Sequence, residues 1–522
     1  MAQGKNIQHS SLRSQGTWLL SAKIGGFAIA LVLPLIVVRI LTQEEFGLYR
    51  QVFLVVMNAV AILPFGISMS AYYYLARDKS KRASAILNIL LVHFAVGAVA
   101  FLLLLLYPEF LGLIFNSDEM SRLAPLVGIA IWFWLFSVFL EHAAVANREP
   151  RKAATFIVFA QFSKTALMAV FVIWFGTVTS IITAAIIQSA VQSVILIWYL
   201  YSRFPGFLKS FDLDFLKEHL RYTLPYGLAG ILGTLLSDLH YYFVGHHYGD
   251  AAYAIYVIGC FQLPLIAVLG ESVASVLIPR MSELQLQNDT KEMIRITARA
   301  IRVLALVYFP AFVFLFVTAE MFITTLFTDK FSESVPIFQI FLVLLPITIL
   351  VSDPVVRVYK SLGMFRLKLR IAIFVVLVAG LFYGIERFDM LGVVMIVVTA
   401  RIAERIIIQL AVFRRIGFRP ADFNFLRKLG ITAAVSVLSG TMTFGIYETI
   451  RVPIVQWILG LANKYMASPN SLIIDFVSGM VILATCFIGF LTVYFTIAFY
   501  AGIIEDSEKK LLLRLFNKRL VR

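Results

Sequence analysis

The chain has 522 residues, of which 60% are hydrophobic and 14% charged, with a mean hydropathy of +0.88. That apolar share is gathered into runs long enough to cross a bilayer, which excludes an ordinary soluble protein and reads as an all-α polytopic membrane protein. The net charge of +15 does not point to nucleic acid, because no connection is long enough to fold the polar domain on which such binders gather their bases.

Residues 1–16 are polar and basic and lead into an apolar run at 17–41, too long for a signal-peptide core and read as an uncleaved first span. Runs of the same kind follow near 51–75, 84–106, 123–146, 154–175 and 180–201, completing an N-terminal bundle of six over 1–201. A polar cytoplasmic linker, 202–221, separates it from a second series near 222–245, 251–279, 298–326, 335–356, 369–385 and 390–413, the C-terminal bundle of 222–420. A last pair near 429–448 and 471–500 brings the expectation to fourteen transmembrane helices, with 421–522 adding an interfacial segment at 452–459 and a basic cytoplasmic tail. The charge pattern supports this count. Lys and Arg concentrate in every second loop, whereas the intervening turns carry only Arg50, Arg122, Lys330, Arg387, Arg451 and Lys464. Basic loops face the cytoplasm, so both termini are expected there, in the inner membrane. Cys260 and Cys486 both lie in apolar runs, which leaves no disulfide framework and no metal-binding cysteine pair; no cofactor or metal is expected.

One stretch organises the two series. In the first, Gln43-Glu44-Glu45-Phe46-Gly47-Leu48-Tyr49 opens a long apolar helix that closes on Arg77-Asp78-Lys79-Ser80-Lys81-Arg82. In the second, Tyr253-Ala254-Ile255-Tyr256 repeats the aromatic, small, aliphatic, aromatic order at the start of the equivalent helix, which exits at Pro279-Arg280-Met281-Ser282-Glu283. An even number of helices per series gives both copies the same orientation, related by an axis along the membrane normal. Two six-helix bundles with a cavity between them are the expected architecture.

These residues resemble a known family. Arg39-Ile40-Leu41-Thr42-Gln43-Glu44-Glu45-Phe46-Gly47-Leu48-Tyr49 is similar to the first-turn signature of the Wzx-like polysaccharide flippases, and Pro64-Phe65-Gly66 and Tyr73-Tyr74-Leu75-Ala76 fit the following helix. Leu224-Pro225-Tyr226-Gly227, Asp238 and Leu277-Ile278-Pro279-Arg280-Met281-Ser282 resemble that family's seventh and eighth helices. The family lies in the multidrug, oligosaccharidyl-lipid and polysaccharide exporter superfamily. The resemblance implies that a lipid-linked oligosaccharide is turned over from the cytoplasmic to the outer leaflet. Many Wzx-like members stop at twelve helices, and the two extra here are shared with the lipid II flippases.

Ionisable groups inside spans cost about 2.5–3.5 kcal/mol each on insertion scales, so each needs a partner, water or a ligand. Arg39, Glu141 and Asp353 stand close enough to helix ends to snorkel or cap, and His93 reads as a satisfied buried histidine. Lys164 and Arg401 sit near mid-span, and Arg405 is one turn from Arg401 with Glu404 between them. The bland reading pairs Glu404 with one of these arginines. The functional reading assigns Lys164, Arg401 and Arg405 to a pyrophosphate headgroup, because planar guanidiniums match phosphate oxygens bidentately while lysine adds a point charge. Lys23 takes a gate position nearer the cytoplasm, and Asp238 and Glu271 are candidates for a coupling cation or proton. Of Tyr72-Tyr73-Tyr74, one or two rings at most can line a cavity.

The expected function is thus a non-enzymatic flippase for a polyprenyl-pyrophosphate-linked oligosaccharide, working by alternating access in surface polysaccharide biosynthesis. Membrane lipids and polysaccharide polymerase machinery are its expected partners. A cation-coupled drug exporter of the same superfamily is the alternative, disfavoured by the mid-membrane bases. A membrane-embedded polymerase or glycosyltransferase is a third, and the 449–470 loop holds none of the Asp, Glu or His it would use. The small residues of 429–447 suit either a groove for the lipid chain or a brace.

Overall fold

The structure, a computed structural model, describes residues 12–77, 80–419, 422, 425–465 and 471–503. The N-terminal segment 1–11 and the basic tail 505–522 lie outside them. Among the described residues there are nineteen α-helices and no strand. Among the described residues ten helices are long and apolar enough to cross a membrane. The chain divides into two compact units, Met1–Val257 and Ile258–Arg522.

The first unit runs through α1 (Leu12–Ile40), α2 (Gln43–Ile62), a 3-10 turn (Ile67–Ser70), α3 (Ala71–Arg77), α4 (Arg82–Leu106), α5 (Glu109–Phe115), α6 (Asp118–Ala146), α7 (Pro150–Phe175), α8 (Val178–Arg203) and most of α9 (Leu213–Gly259). Helix α6 is its centre, packed against α2, α3, α4, α5, α7 and α8. Small residues allow that density: a Cβ on Gly128 would stand 3.0 Å from the Phe101 backbone, and one on Gly97 would meet the Trp132 ring. Helix α1 lies along α7.

The opening stretch folds as a capped helix start. Thr42 Oγ1 accepts from the Glu45 amide at 3.2 Å while Glu45 Oε2 accepts from the Thr42 amide at 2.9 Å, a reciprocal capping box. Its echo is also a helix start, because α9 breaks at Gly249 (φ 79°, ψ 178°) and resumes at Asp250. Phe46 and Tyr253 thus stand at the same step of their helices. Both copies are buried: Phe46, Leu48 and Tyr49 in one, Tyr253, Ala254, Ile255 and Tyr256 in the other. The two starts also touch. Gln51 Nε2 donates to Asp250 Oδ1 at 2.8 Å, and Gly47 packs directly on the Asp250 carbonyl.

The long helix expected over 51–75 is interrupted. After α2 the chain turns through Phe65 (φ 49°) and Gly66 (φ 73°), both left-handed, into the 3-10 turn. The physical reason lies across the unit. Gly227 of α9 presses its backbone against Phe65, where a Cβ would overlap the Phe65 carbonyl, and its amide nitrogen would lie 3.3 Å from a Cβ on Gly66. Pro64-Phe65-Gly66 and Gly227 of Leu224-Pro225-Tyr226-Gly227, far apart in sequence, meet here.

The second unit holds α10 (Pro264–Leu286), α11 (Thr290–Val317), α12 (Ala319–Phe327), α13 (Ser334–Leu342), α14 (Leu344–Ile347), α15 (Asp353–Val358), α16 (Lys360–Ile385), α17 (Met390–Ile416), α18 (Phe425–Tyr465) and α19 (Ser471–Tyr500). The expected helix at 251–279 is broken between Gly259 and Pro264, and the expected span at 335–356 is three short helices. Pro346 and Pro354 account for the interruptions: each lacks an amide proton and crowds the carbonyl four residues earlier, Leu342 and Leu350, whereas Pro336 sits in the tolerant first turn of α13. Helix α16 starts at Lys360, earlier than the expected 369.

The interfacial helix expected at 452–459 does not exist as a separate element. Helix α18 continues through Pro453 for 41 residues. Its small polar stripe is closed, not an open groove: Thr432, Ser436, Ser439 and Thr443 are buried, and each hydroxyl donates to a carbonyl four residues back on its own helix. Gly440 faces Val313 of α11, Gly479 of α19 faces Thr325 of α12, and Tyr494 donates to the Leu306 carbonyl at 3.1 Å. Close packing of this kind supplies most of helix association in lipid. Deleting 429–522 is therefore expected to lower protein abundance several-fold by uncovering α11. Normal accumulation of the truncated protein in membranes would refute the bracing role.

Candidate functional site

Two basic sites emerge, one on each unit. On the first unit, an aromatic relay leads from the opening stretch to Lys164. Phe46 contacts Tyr49 (ring centroids 5.8 Å), Tyr49 contacts Phe53 (5.0 Å), Phe53 meets Trp134 of α6 edge-on (6.0 Å), and Lys164 Nζ of α7 lies 4.9 Å over the Trp134 ring. Trp134 is buried and Lys164 half-buried. The ring faces a positive charge with its negative quadrupole, which lowers the cost of holding an ammonium among apolar helices. Lys23 is exposed on α1. Gly26 faces Ile157 and Gln161, and the Thr165 hydroxyl reaches the Ile29 carbonyl, so α1 and α7 run parallel. Lys23 then lies about 8 Å nearer the N-terminal ends of the two helices than Lys164, at ~1.5 Å per residue.

On the second unit, Arg401 and Arg405 stand one turn apart on α17. The pairing of Glu404 with either of them is not what the fold forms. Glu404 Oε1 instead accepts from Arg370 Nε of α16 at 2.8 Å. A carboxylate at position 404 points to the side of the helix facing α16, and Arg370 reaches it because α16 begins at Lys360 and carries Arg366 and Arg370 on successive turns. Asp353, at the start of α15, is shared by Arg357 (2.7 Å) and Arg366. Arg401 lies 5.6 Å over the Phe341 ring of α13. Arg405 is exposed and is within electrostatic range of Arg401, Arg366, Glu404 and Tyr308.

Five guanidiniums thus share a neighbourhood with two carboxylates. The cluster rests on a packed apolar base of Met281, Leu284, Met293, Val355, Val356, Leu362, Ile408, Val412 and Ile416, drawn from α10, α11, α15, α16 and α17. That base fixes where the arginines stand. Arg366 and Arg370 are not among the site residues read from the sequence: hydropathy places Arg366 in the turn before the span at 369–385 and Arg370 in that span's first turn.

The coupling candidates are dispersed. Asp238 is half-buried on α9, one turn before Tyr242, whose hydroxyl accepts from Asn58 Nδ2 at 3.1 Å. Glu271 is exposed on α10. No group of three or more His, Cys, Asp or Glu able to hold a metal occurs among the described residues. Arg39 behaves as a helix-end group: its Nη1 donates to the Leu35 carbonyl at 2.6 Å. Of the three consecutive tyrosines, Tyr74 is buried while Tyr72 and Tyr73 are partly exposed.

A family model described as a polysaccharide biosynthesis protein matches residues 36–336. No curated protein sequence matches the chain. Among solved structures, a lipid II flippase, MurJ, in its inward closed conformation is similar with a TM-score of 0.63 at 14% identity, covering 93% of this chain and 99% of that one. An inward-facing multidrug resistance MATE family transporter of the MOP superfamily gives 0.58 at 16% identity over 79% and 96%. A MOP superfamily transporter from Pyrococcus furiosus Vc1 gives 0.57 at 16% over 80% and 99%. The fold is shared with all three.

Proposed function

Since the chain belongs to the polysaccharide biosynthesis protein family, we propose that it is a flippase carrying a polyprenyl-pyrophosphate-linked oligosaccharide from the inner to the outer leaflet of the cytoplasmic membrane. It works as a transporter and performs no bond chemistry. The observation that carries this reading is the pairing of Glu404 with Arg370. Glu404 of α17 accepts from Arg370 of α16, and five guanidiniums, Arg357, Arg366, Arg370, Arg401 and Arg405, gather there around the carboxylates of Asp353 and Glu404. Such a surplus at membrane depth is retained where an anion answers it. A pyrophosphate diester suits it, with oxygens that accept forked guanidinium bonds.

Arg401 and Arg405 are the headgroup ligands of the second unit in this reading. Lys164 and Lys23 are basic contacts on the first. Asp238, polar-surrounded on α9, and Glu271, exposed on α10, are the groups available to a coupling cation or proton. The basic loops and both termini face the cytoplasm, where the lipid-linked sugar is made, and polysaccharide polymerase machinery receives it on the other side.

The test uses purified protein in proteoliposomes with a fluorescent polyprenyl-pyrophosphate oligosaccharide in the inner-facing leaflet. Delivery to the other leaflet is expected to be protein-dependent and at least tenfold faster than for an analogue in which a neutral linkage replaces the pyrophosphate. Equal rates for the two lipids would overturn the reading.

A further inference from the structure

The 3-10 turn Ile67–Ser70 is held by a histidine near each end. His93 of α4 is hydrogen-bonded through Nε2 to Ser68 Oγ at 2.8 Å, and His219 of α9 through Nε2 to Ser70 Oγ. Ser70 Oγ donates its own proton to the Ile67 carbonyl at 2.5 Å, so it accepts from His219, whose proton sits on Nε2. Its Nδ1 meets no acceptor among the described residues that would stabilise a second proton. Both rings are buried, at 1% and 0% exposure, and among the described residues neither Nδ1 has a hydrogen-bond partner.

The surroundings oppose a second proton on either ring. His219 stacks on Phe215 (5.5 Å, 24°) and meets Tyr74 of α3 edge-on at 4.7 Å. Lys81, on the α3–α4 connection, holds its ammonium 4.8 Å over that same Phe215 ring and 3.5 Å from Glu218 of α9, so the nearby carboxylate already has a cation. Tyr73 and Tyr222 stack beside Tyr74. His93 packs among Phe136 and Phe139 of α6, with His142 of α6 as a further basic neighbour and Tyr72 and Glu141 beyond it. His219 precedes the span at 222–245, and burial pushes its imidazole down to about 4.

We propose that His93 and His219 form a proton-operated latch: the turn after the 63–66 break is held while both rings are neutral and is released as they take up protons. Neither histidine belongs to the anion sites, so the latch stands or falls separately from the substrate. The sign follows from linkage. Above pH 6.5, the ordinary histidine value, held and released states are both neutral and the latch is fully closed. As the pH falls from 6.5 towards 4, a released ring binds a proton that a held ring refuses, and the held-to-released ratio drops about tenfold per pH unit from His219 alone. The left-handed Phe65-Gly66 pair is where the backbone pivots.

Backbone hydrogen exchange of the full-length protein in lipid nanodiscs, corrected for the intrinsic pH dependence of exchange, measures the latch directly. Residues 63–77 are expected to exchange about tenfold faster or more at pH 5.5 than at pH 7.5, with α6 unchanged. His219→Gln keeps a donor for Ser70 but cannot titrate, and should reduce the response; H93Q with H219Q should abolish it. Equal protection of 63–77 at the two pH values in the unmodified protein would overturn the proposal, and that measurement needs no variant to fold. An undiminished response in the double variant would overturn it as well.

Discussion

Arg401→Ala is expected to reduce delivery of the lipid-linked oligosaccharide by about 10- to 200-fold per unit of protein in the membrane. A charge-assisted bond from a guanidinium to an anion is worth about 1.5–3 kcal/mol, and the forked geometry adds orientation. Arg401→Lys restores the charge but not the fork, so it should recover only part of the rate. Abundance is the discriminating readout. With Glu404 held by Arg370 at 2.8 Å, removing Arg401 leaves that hydrogen bond in place. Arg370→Ala does take it away: it leaves a half-buried carboxylate without its donor, at a cost of about 1–3 kcal/mol, and abundance should fall. Sugar delivery and membrane protein levels for Arg401→Ala, Arg401→Lys and Arg370→Ala settle the matter. Normal delivery by Arg401→Ala removes it from the site.

The second large effect is structural. Gly227→Ala should destabilise the protein by roughly 3 kcal/mol or more, because its methyl group would occupy the space of the Phe65 carbonyl. The opposing backbone cannot give way cheaply, since Phe65 already sits at φ 49° and Gly66 at φ 73°. Gly230, one turn further along α9, has nothing within 4 Å of a Cβ. Gly230→Ala should therefore be neutral or stabilising, by up to about 1 kcal/mol from helix propensity. Thermal unfolding of the two variants in the same detergent gives the comparison, and equal midpoints would refute the close approach.

Some of this was legible in the residues. Arg401 and Arg405 stood out because charge in the middle of an apolar run has no trivial explanation, and the Phe46-to-Tyr49 pattern with its echo at Tyr253 marks two buried helix starts at the same step. What escaped notice was non-local. Glu404 pairs with an arginine 34 residues away, which spacing along one helix cannot reveal. The interruption at 63–66 arises from contact with Gly227, and an apolar window reads straight across it. Pro453 and Trp457 suggested a separate interfacial helix, yet α18 runs on, because Ile454, Ile458 and Ala462 pack against Ile474 and Val481 of α19.

The length of α18 sets how deep the protein floats. At ~1.5 Å per residue its 41 residues measure about 60 Å, twice the ~30 Å of hydrocarbon in a bilayer. Fitting it inside by tilt alone would need about 60°, beyond the roughly 40° that spanning helices reach. The helix must therefore surface part-way along. Glu448 and Arg451, 3.9 Å apart, with Arg451 5.8 Å over the Tyr447 ring, are the first charged groups after Lys428. A waterline at this pair would let a change in membrane thickness be met by sliding more or less of the same helix past it.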